Sequence, residues 1–172
     1  MAEEILKNIP VETKWAITTQ SFVGAYSAII QLAGPHVGQE KLIELNNTVF
    51  VGGSKIAFPR IKESFNIPVE DAIGAANLIE VVSELQMGTE SEGEYVEKTP
   101  ARVVYRQTKC PWGTWNEENA AWAKPEYMIC TEGHQAWAES GLKAINPKLT
   151  HKMTKSMMKG DPYCEYIIEF KK

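Results

Sequence analysis

The side chains best suited to chemistry in this sequence are three cysteines, Cys110, Cys130 and Cys164, and one histidine, His134. Cys130 and His134 are four residues apart, so a helix would place them on one face. An imidazole beside a thiol can accept its proton or stabilise the thiolate. The pair therefore predicts a catalytic cysteine that is active near pH 7. The alternative is structural, because a buried cysteine usually behaves as a small hydrophobic residue.

The three thiols differ in their predicted surroundings. Cys110 ends a strand-like run and stands directly before Pro111 and Trp112, where the proline turns the chain away from the sheet. Cys164 alternates with apolar residues on one strand face, which predicts a buried and inert thiol. We therefore rank Cys110 first as the reacting group, Cys130 second, and Cys164 as a supporting thiol.

Aromatic residues surround these thiols. Four of the five tryptophans lie within residues 112–137, and three of these, Trp112, Trp115 and Trp137, are predicted to bind a ligand. An aromatic pocket with a few polar groups is the usual form of a small-molecule site. The alternative is a helix that packs on a sheet through large aromatic side chains.

The C-terminal segment is basic although the chain as a whole is acidic. Residues 141–172 contain seven lysines and three acidic residues, while the net charge of the chain is −4. Lys152 and Thr154 share one face of a predicted strand and are candidate ligand contacts at a positive rim for an anionic molecule. The alternative is a solvated strand edge, where lysines discourage the addition of another strand.

No cofactor is expected, because the sequence has no P-loop, dinucleotide fingerprint, nucleophile elbow or zinc-protease motif. One alternative involves a metal. Cys110, Cys130, Cys164 and His134 are a chemically suitable tetrahedral zinc set, although no two of them form a closely spaced pair typical of structural zinc sites. Zinc therefore belongs to the interpretation in which the chain is a non-catalytic binding module.

Helices predominate before residue 90 and strands after it. The first helix shows apolar residues at spacings of three and four, and Gly34-Pro35 is expected to end it. Gly52-Gly53 is expected to break or bend the second helix, and Gly88 to end the third. The predicted helices cover 11–33, 38–51 and 68–88, and a further helical segment covers 116–145, with Pro125 at the start of its longer part. The predicted strands cover 92–98, 101–109, 149–158 and 163–170.

This order predicts an α+β fold, with N-terminal helices followed by an antiparallel sheet of two hairpins that flank a helix. The length of 172 residues predicts a single domain with a helical part, 1–90, and a sheet-containing part, 91–172.

Composition limits location and partners. The chain is 44% hydrophobic and 23% charged, which is typical of a globular protein. The acidic balance disfavours nucleic acid as a partner, and the most apolar stretch, 22–33, is too short and too polar to cross a membrane. An acidic start and an odd number of cysteines lead us to expect a cytoplasmic protein. The first helix is apolar on more than one side, which predicts a homo-oligomer.

Several short motifs, taken in order, resemble one known family. Cys110-Pro111, Cys130, residues 146–149 (NPKL) and residues 160–166 (GDPYCEY) resemble the framework of the L-2-amino-thiazoline-4-carboxylic acid hydrolase family. The resemblance covers roughly residues 65–172. A more distant similarity is to the vinyl-reductase type of small-molecule-binding domain, which also ends in a Gly-Asp-x-x-Cys hairpin.

The resemblance implies a cysteine-dependent hydrolase of a small cyclic amidine, isothiourea or amide-like substrate. The named family activity opens a cyclic isothiourea to give S-carbamoyl-cysteine, and a thiol could attack the ring carbon to form an adduct that water resolves. Cys110, Cys130 and Cys164 match the cysteine positions of the family, whereas His134 is added from helical spacing alone. Because motifs do not fix a substrate, the alternative is a non-catalytic module that binds a small molecule or a metal in an aromatic pocket.

Overall fold

The computed structural model describes residues 6–88 and 91–171. Three long helices precede four strands, as the α+β prediction requires, and the bounds of each element follow. The helices are α1 (Val11–Val37), α2 (Gln39–Ser64), α3 (Ala72–Met87), α4 (Pro111–Glu118) and α5 (Cys130–Ile145). The strands are β1 (Glu92–Lys98), β2 (Arg102–Lys109), β3 (Leu149–Lys155) and β4 (Cys164–Phe170), with 3-10 turns at Pro125–Tyr127 and Met157–Lys159.

The four strands form one antiparallel sheet in the order β1-β2-β4-β3. Both predicted hairpins are present, and pairing of β2 with β4 joins them. Tyr105 lies opposite Tyr95 on one neighbouring strand and Tyr166 on the other. Their rings follow one another across the sheet, with centroids 5.0 and 6.4 Å apart. This row of rings gives one face of the sheet an aromatic surface.

The first two helices are longer than predicted from the positions of their glycines and prolines. α1 continues past Pro35, since a proline so near a helix end removes only one intrahelical hydrogen bond. It ends at Gly38, whose φ of 78° lies in the left-handed region. α2 runs unbroken through Gly52-Gly53 and Pro59, because tertiary packing outweighs the modest helix-breaking tendency of two glycines.

In the helical segment predicted over 116–145, the longer part starts at Cys130 and not at Pro125 as predicted. α4 begins earlier, at Pro111, and a turn separates it from α5. The reason lies in α1, where the Gln31 side chain binds the main chain of Lys124. Lys124 N donates to Gln31 Oε1 (2.8 Å), and Gln31 Nε2 donates to Lys124 O (3.2 Å). These bonds hold the chain in a turn just before Pro125, and a proline at this point disfavours a continuous helix.

Small residues allow α2 and α5 to pack closely. Gly141 of α5 faces the fully buried Phe58 of α2, whose ring meets Trp137 edge-on at 4.9 Å between centroids. One turn away, the hydroxyls of Ser54 and Ser140 form a hydrogen bond of 2.7 Å. The α2–α5 pair therefore fixes how the helical layer sits on the sheet.

α5 also covers the outer edge of strand β3. The side chains of Gln135 and Glu139 replace the missing neighbouring strand: Gln135 donates to the carbonyl of His151 (2.7 Å) and accepts from Met153 N (2.6 Å), while Glu139 accepts from His151 N (2.6 Å). Buried main-chain groups need such partners, and an uncovered edge would invite pairing with another chain.

The core lies between the α2–α5 pair, α3 and the sheet. Its members include Leu78, Val103, Leu142, Leu149 and Ile168, all nearly inaccessible to solvent. By contrast, α1 and α2 leave large apolar side chains exposed on their outer surfaces, including Ile17, Ile29, Leu32, Leu45 and Ile56. None of the described helices combines the length and the apolarity needed to cross a bilayer.

We predict that two glycine-to-alanine changes have opposite effects on stability. Gly52→Ala should raise the free energy of unfolding by about 1 kcal/mol, because alanine favours the helix and the new Cβ meets no atom within 4 Å. Gly141→Ala should lower it by about 1–3 kcal/mol, because its Cβ would lie 2.6 Å from Phe58 Cδ2. Urea unfolding of the two variants measures both effects. Equal stabilisation by both changes would contradict the close α2–α5 packing.

Candidate functional site: an aromatic cavity

A cavity of about 810 Å³ lies between the three N-terminal helices and the sheet. Its size falls in the range of small-molecule sites. α1 contributes Trp15, Phe22 and Tyr26, α2 contributes Phe50, and α3 contributes Ile79. Across from them lie Tyr105 and Tyr166 of the sheet, Trp137 of α5 and Trp112 of α4, so most of the wall is aromatic or aliphatic.

The aromatic rings at the α1 side of the cavity support each other. Tyr26 meets Trp112 and Phe50 edge-on, both at 5.6 Å between centroids, and Phe22 meets Trp112 at 6.4 Å. The indole N–H of Trp112 donates to Met87 Sδ at 2.7 Å. Such edge-to-face contacts hold large rings in fixed orientations, which gives the cavity a defined wall in this region.

The structure places most of the predicted site residues on this cavity. Those that line it are Cys110, Cys130, His134, Cys164, Trp112 and Trp137. Trp115 does not; its ring packs against Trp122 and faces Gly24 of α1. Lys152 and Thr154 are exposed on β3 and are not part of the cavity wall.

Two of the thiols, Cys110 and Cys130, are held in their protonated form. Burial raises the pKa of Cys110 to about 11, more than the N–H groups at the start of α4 lower it. One of these, Gly113 N, donates to Cys110 Sγ at 3.2 Å. Burial also raises the pKa of Cys130, and the neighbouring thiols Cys110 and Cys164 oppose its ionisation further. At pH 7 these groups are therefore thiols rather than nucleophilic thiolates.

Two histidines lie side by side on the cavity wall. His134 of α5 and His151 of β3 have ring centroids 5.3 Å apart, and both rings contact the ring of Tyr166, at 4.5 and 5.6 Å. His151 is 3% exposed. Of the buried side-chain nitrogens and oxygens in the described residues, those without a hydrogen-bond partner are His134 Nδ1, His151 Nδ1 and His151 Nε2.

Both imidazoles are neutral at pH 7. Burial lowers the pKa of His134 to about 4. Burial also lowers the pKa of His151 well below its ordinary value, and the proximity of His134 lowers it further. Although Cys130 and His134 share α5 as predicted, no hydrogen bond joins the thiol to the imidazole in the part of the chain described here.

Three other polar side chains on the wall, Tyr26, Tyr166 and Gln31, have partners within the protein. The Tyr26 hydroxyl donates to Asn46 Oδ1 at 2.5 Å, and the Tyr166 hydroxyl donates to Gln107 Oε1 at 2.8 Å. The Gln31 side chain is held by the main chain of Lys124. The unpartnered histidine nitrogens, by contrast, are buried and present almost no surface to the cavity.

The charged residues of the cavity wall are acidic. The described lining residues include no lysine or arginine, and the charged ones are Glu80 and Glu84 of α3. Tyr95 donates a hydrogen bond of 2.8 Å to Glu80 Oε2. The basic C-terminal segment therefore does not give this cavity a positive rim.

No three His, Cys, Asp or Glu side chains within residues 6–88 and 91–171 are arranged to hold a metal ion. The zinc set of Cys110, Cys130, Cys164 and His134 stays a prediction from the sequence. The arrangement of these side chains gives no further support for a zinc site.

Sequence reasoning missed two groups of lining residues. The apolar spacing on the first helix predicts an amphipathic helix, and the structure shows that Trp15, Phe22 and Tyr26 of this helix line the cavity. The alternation along β3 places His151 and Met153 on the face opposite Lys152, and it is this face that lines the cavity. The sequence contains a signal for this face, because the hydrophobic Met153 marks it as the buried one.

We predict that the neutral histidines make stability depend on pH between 5 and 7. A histidine with a lowered pKa takes up protons in the unfolded chain first, so stability is complete above pH 6.5 and is lost as pH falls toward the folded pKa. For His134, with a folded pKa of about 4, the loss between pH 7 and pH 5 is roughly 2 kcal/mol, and His151 acts in the same direction.

Urea unfolding at pH 7 and pH 5, on the wild type and His134→Gln, measures this dependence. The variant should lose less stability than the wild type over this interval. Glu165, whose pKa is lowered by its hydrogen bond from Arg106, acts only at lower pH and does not interfere. A wild type equally stable at both pH values would show that the imidazoles are not held neutral.

Solved structures of other proteins share the fold of this chain. No protein-family profile matches the chain and no curated protein is similar to it in sequence, so the resemblance to the L-2-amino-thiazoline-4-carboxylic acid hydrolase family is not confirmed. The phenol-responsive sensory domain of the transcription activator PoxR, solved with phenol, superposes with a TM-score of 0.57 at 11% identity, covering 86% of this chain and 74% of that domain.

A second structural counterpart is a trafficking protein particle complex subunit 3 from Naegleria fowleri, covalently bound to palmitic acid. It superposes with a TM-score of 0.56 at 11% identity and covers 91% of this chain and 96% of that protein. At this level of identity, both comparisons show a shared fold and nothing more specific.

Proposed function

We propose that the chain is a non-catalytic module that binds a small, mainly apolar molecule in the aromatic cavity. The observation that carries the proposal is the cavity itself, with about 810 Å³ of space enclosed by aromatic side chains from α1, α2, α4, α5 and the sheet. A protein interior is normally packed to leave few voids larger than a water molecule. A space of this size, with ordered walls, is therefore suited to a ligand.

The state of the thiols favours binding over hydrolysis. A cysteine nucleophile needs a lowered pKa or an adjacent base, whereas burial raises the pKa of Cys110 and Cys130. His134 accepts no proton from either thiol through a hydrogen bond. The features that make the cavity a good site for an apolar molecule also make its cysteines poor nucleophiles.

The structural counterparts agree with this proposal. One is a sensory domain solved with phenol and the other a subunit bound to palmitic acid. Both of those proteins bind an organic molecule that is largely apolar, and they share this fold. The comparison supports a binding role for this chain and leaves the identity of its ligand to the chemistry of its own cavity.

A pair of matched variants tests the proposal. Gly52 and Gly53 are adjacent, exposed residues of α2 with open space at the Cβ position, but only Gly53 lines the cavity. The neutral fluorophore N-phenyl-1-naphthylamine should bind the wild type with a rise in fluorescence. We predict that Gly53→Phe weakens this binding at least fivefold, because the ring occupies cavity volume, and that Gly52→Phe leaves it within twofold.

Circular dichroism and urea unfolding of both variants provide the control for folding. Absence of fluorophore binding by the wild type would remove the proposed function. Equal weakening by the two substitutions would show that the fluorophore binds the outer surface of α2 instead of the cavity.

We also propose that copies of the chain associate through α1 and α2. Ile29 is 61% exposed and Leu32 is 66% exposed on α1, and Ile56 is 71% exposed on α2. Exposed apolar area of this extent usually marks an interface. Light scattering should give a particle of at least twice the chain mass of 19.3 kDa, and Leu32→Lys should shift it toward the monomer. A 19.3 kDa wild-type particle at micromolar concentration contradicts association.

A further inference from the structure

We infer that the ligand is an amphipathic cation, with an apolar body in the closed end of the cavity and a protonated amine at its opening. This inference rests on the proposed binding function and adds the chemical class of the ligand. The cavity itself makes the site, and two features of its described wall select the class. Solvent exposure is confined to one side of the wall, and the charged residues lie on that side and are acidic.

The first step concerns where the cavity is open. Every exposed residue of the described wall belongs to α1, α2 or α3, and Phe22, Val49 and Leu85 are examples from each helix in turn. The wall residues that follow α3 in the chain are buried or half-buried, and Trp137 of α5 and Ile168 of β4 are nearly inaccessible to solvent. The opening therefore lies among the three N-terminal helices, and the closed end lies against α5 and the sheet.

The second step concerns the closed end. Trp137, Tyr166 and Ile168 give it a mainly apolar surface, and the Tyr166 hydroxyl is already bonded to Gln107. A charged group placed there would lose its hydration without gaining an opposite charge, which is costly. An apolar group at the same place gains free energy by leaving water. The closed end therefore selects the apolar part of the ligand.

The third step concerns the charge at the opening. Glu80 and Glu84 are one turn apart on α3, so their side chains share one face of the helix, and both line the cavity. Neither forms an ion pair with another described residue. Two carboxylates repel an anion and attract a cation. Because both are exposed, an amine can bind them and keep much of its hydration, as a lysine ammonium does when its stem is buried.

Aromatic rings beside these carboxylates favour a cation as well. Tyr95 donates to Glu80 Oε2 (2.8 Å), and the ring centroids of Tyr95 and Tyr105, which both line the cavity, are 5.0 Å apart. A ring face attracts an ammonium group, and Lys98, which is not part of the wall, already places its Nζ 4.1 Å from the Tyr95 centroid. Burial raises the pKa of Tyr105, and the charges of Glu80 and Glu84 raise it further. The field of the two carboxylates therefore reaches the wall and favours positive charge there.

Three molecules with a similar phenylalkyl body test the inference. They are 4-phenylbutylamine, 4-phenyl-1-butanol and 4-phenylbutyrate, which at pH 7 present a cation, an uncharged hydroxyl and an anion. Their affinities are measured by displacement of N-phenyl-1-naphthylamine in a buffer of low ionic strength. The amine should bind about fivefold more tightly than the alcohol, as expected for two solvent-exposed charge pairs, and at least tenfold more tightly than the carboxylate.

Charge variants then assign this preference to the opening. The double variant Glu80→Gln/Glu84→Gln keeps the size of both side chains, and its amine-to-alcohol affinity ratio should fall to within twofold of one. The matched control is Glu63→Gln/Glu94→Gln, which removes the same charge from exposed residues that do not line the cavity. Its ratio should stay within twofold of the wild-type ratio. Circular dichroism of both double variants verifies that they fold.

The outcomes separate this inference from the proposed function. If the fluorophore binds but the alcohol or the carboxylate displaces it as well as the amine does, the cationic class is wrong and the binding module stands. An amine preference that survives in Glu80→Gln/Glu84→Gln, or that is lost equally in the control variant, removes the two carboxylates from recognition. Failure of the fluorophore to bind the wild type removes both the inference and the proposed function.

Discussion

The structure depends on the hydrogen bonds that α5 makes to the outer edge of β3. Gln135 and Glu139 satisfy main-chain groups of His151 and Met153 that a further strand would otherwise pair. These bonds fix α5 along the sheet, so His134, the residue next to Gln135, is brought beside His151. Since α5 is also packed tightly on α2, the same contacts hold the helical layer at a set distance from the sheet. The cavity is the space that remains between these layers.

Burial in this cavity favours the neutral form of two thiols and two imidazoles. It raises the pKa of Cys110 and Cys130 and lowers that of His134 and His151. The physical cause is the same in each case, because an apolar environment disfavours the charged form. A thiolate–imidazolium pair of the kind the sequence suggested would need charges that this environment suppresses. The same residues, when neutral, are suited to apolar contact with a ligand.

The sequence predicted the strands well and the helix ends less well, for identifiable reasons. Alternation and turn residues are local signals, and they placed both hairpins to within a few residues. The unbroken helix at Gly52-Gly53 depends on packing against α5, and the turn at Lys124 depends on hydrogen bonds with Gln31. The spacing of residues in the sequence reveals neither partner. The clustering of thiols and tryptophans correctly drew attention to residues that line the cavity. His151 was missed because its role follows from contact with α5, more than ten residues away along the chain.

The long apolar stripe of α1 gains an explanation from the cavity. One side of the helix, with Trp15, Phe22 and Tyr26, lines the cavity, and another, with Ile29 and Leu32, is exposed. A helix that only covered a sheet would need one such side. The cavity explains the apolar side with Trp15, Phe22 and Tyr26. Only the exposed side, with Ile29 and Leu32, therefore has apolar residues that still need a partner. Because Phe22 is 48% exposed and also lines the cavity, the two sides meet at its mouth. Contacts on the outer surface of α1 therefore adjoin a part of the cavity wall that is exposed to solvent.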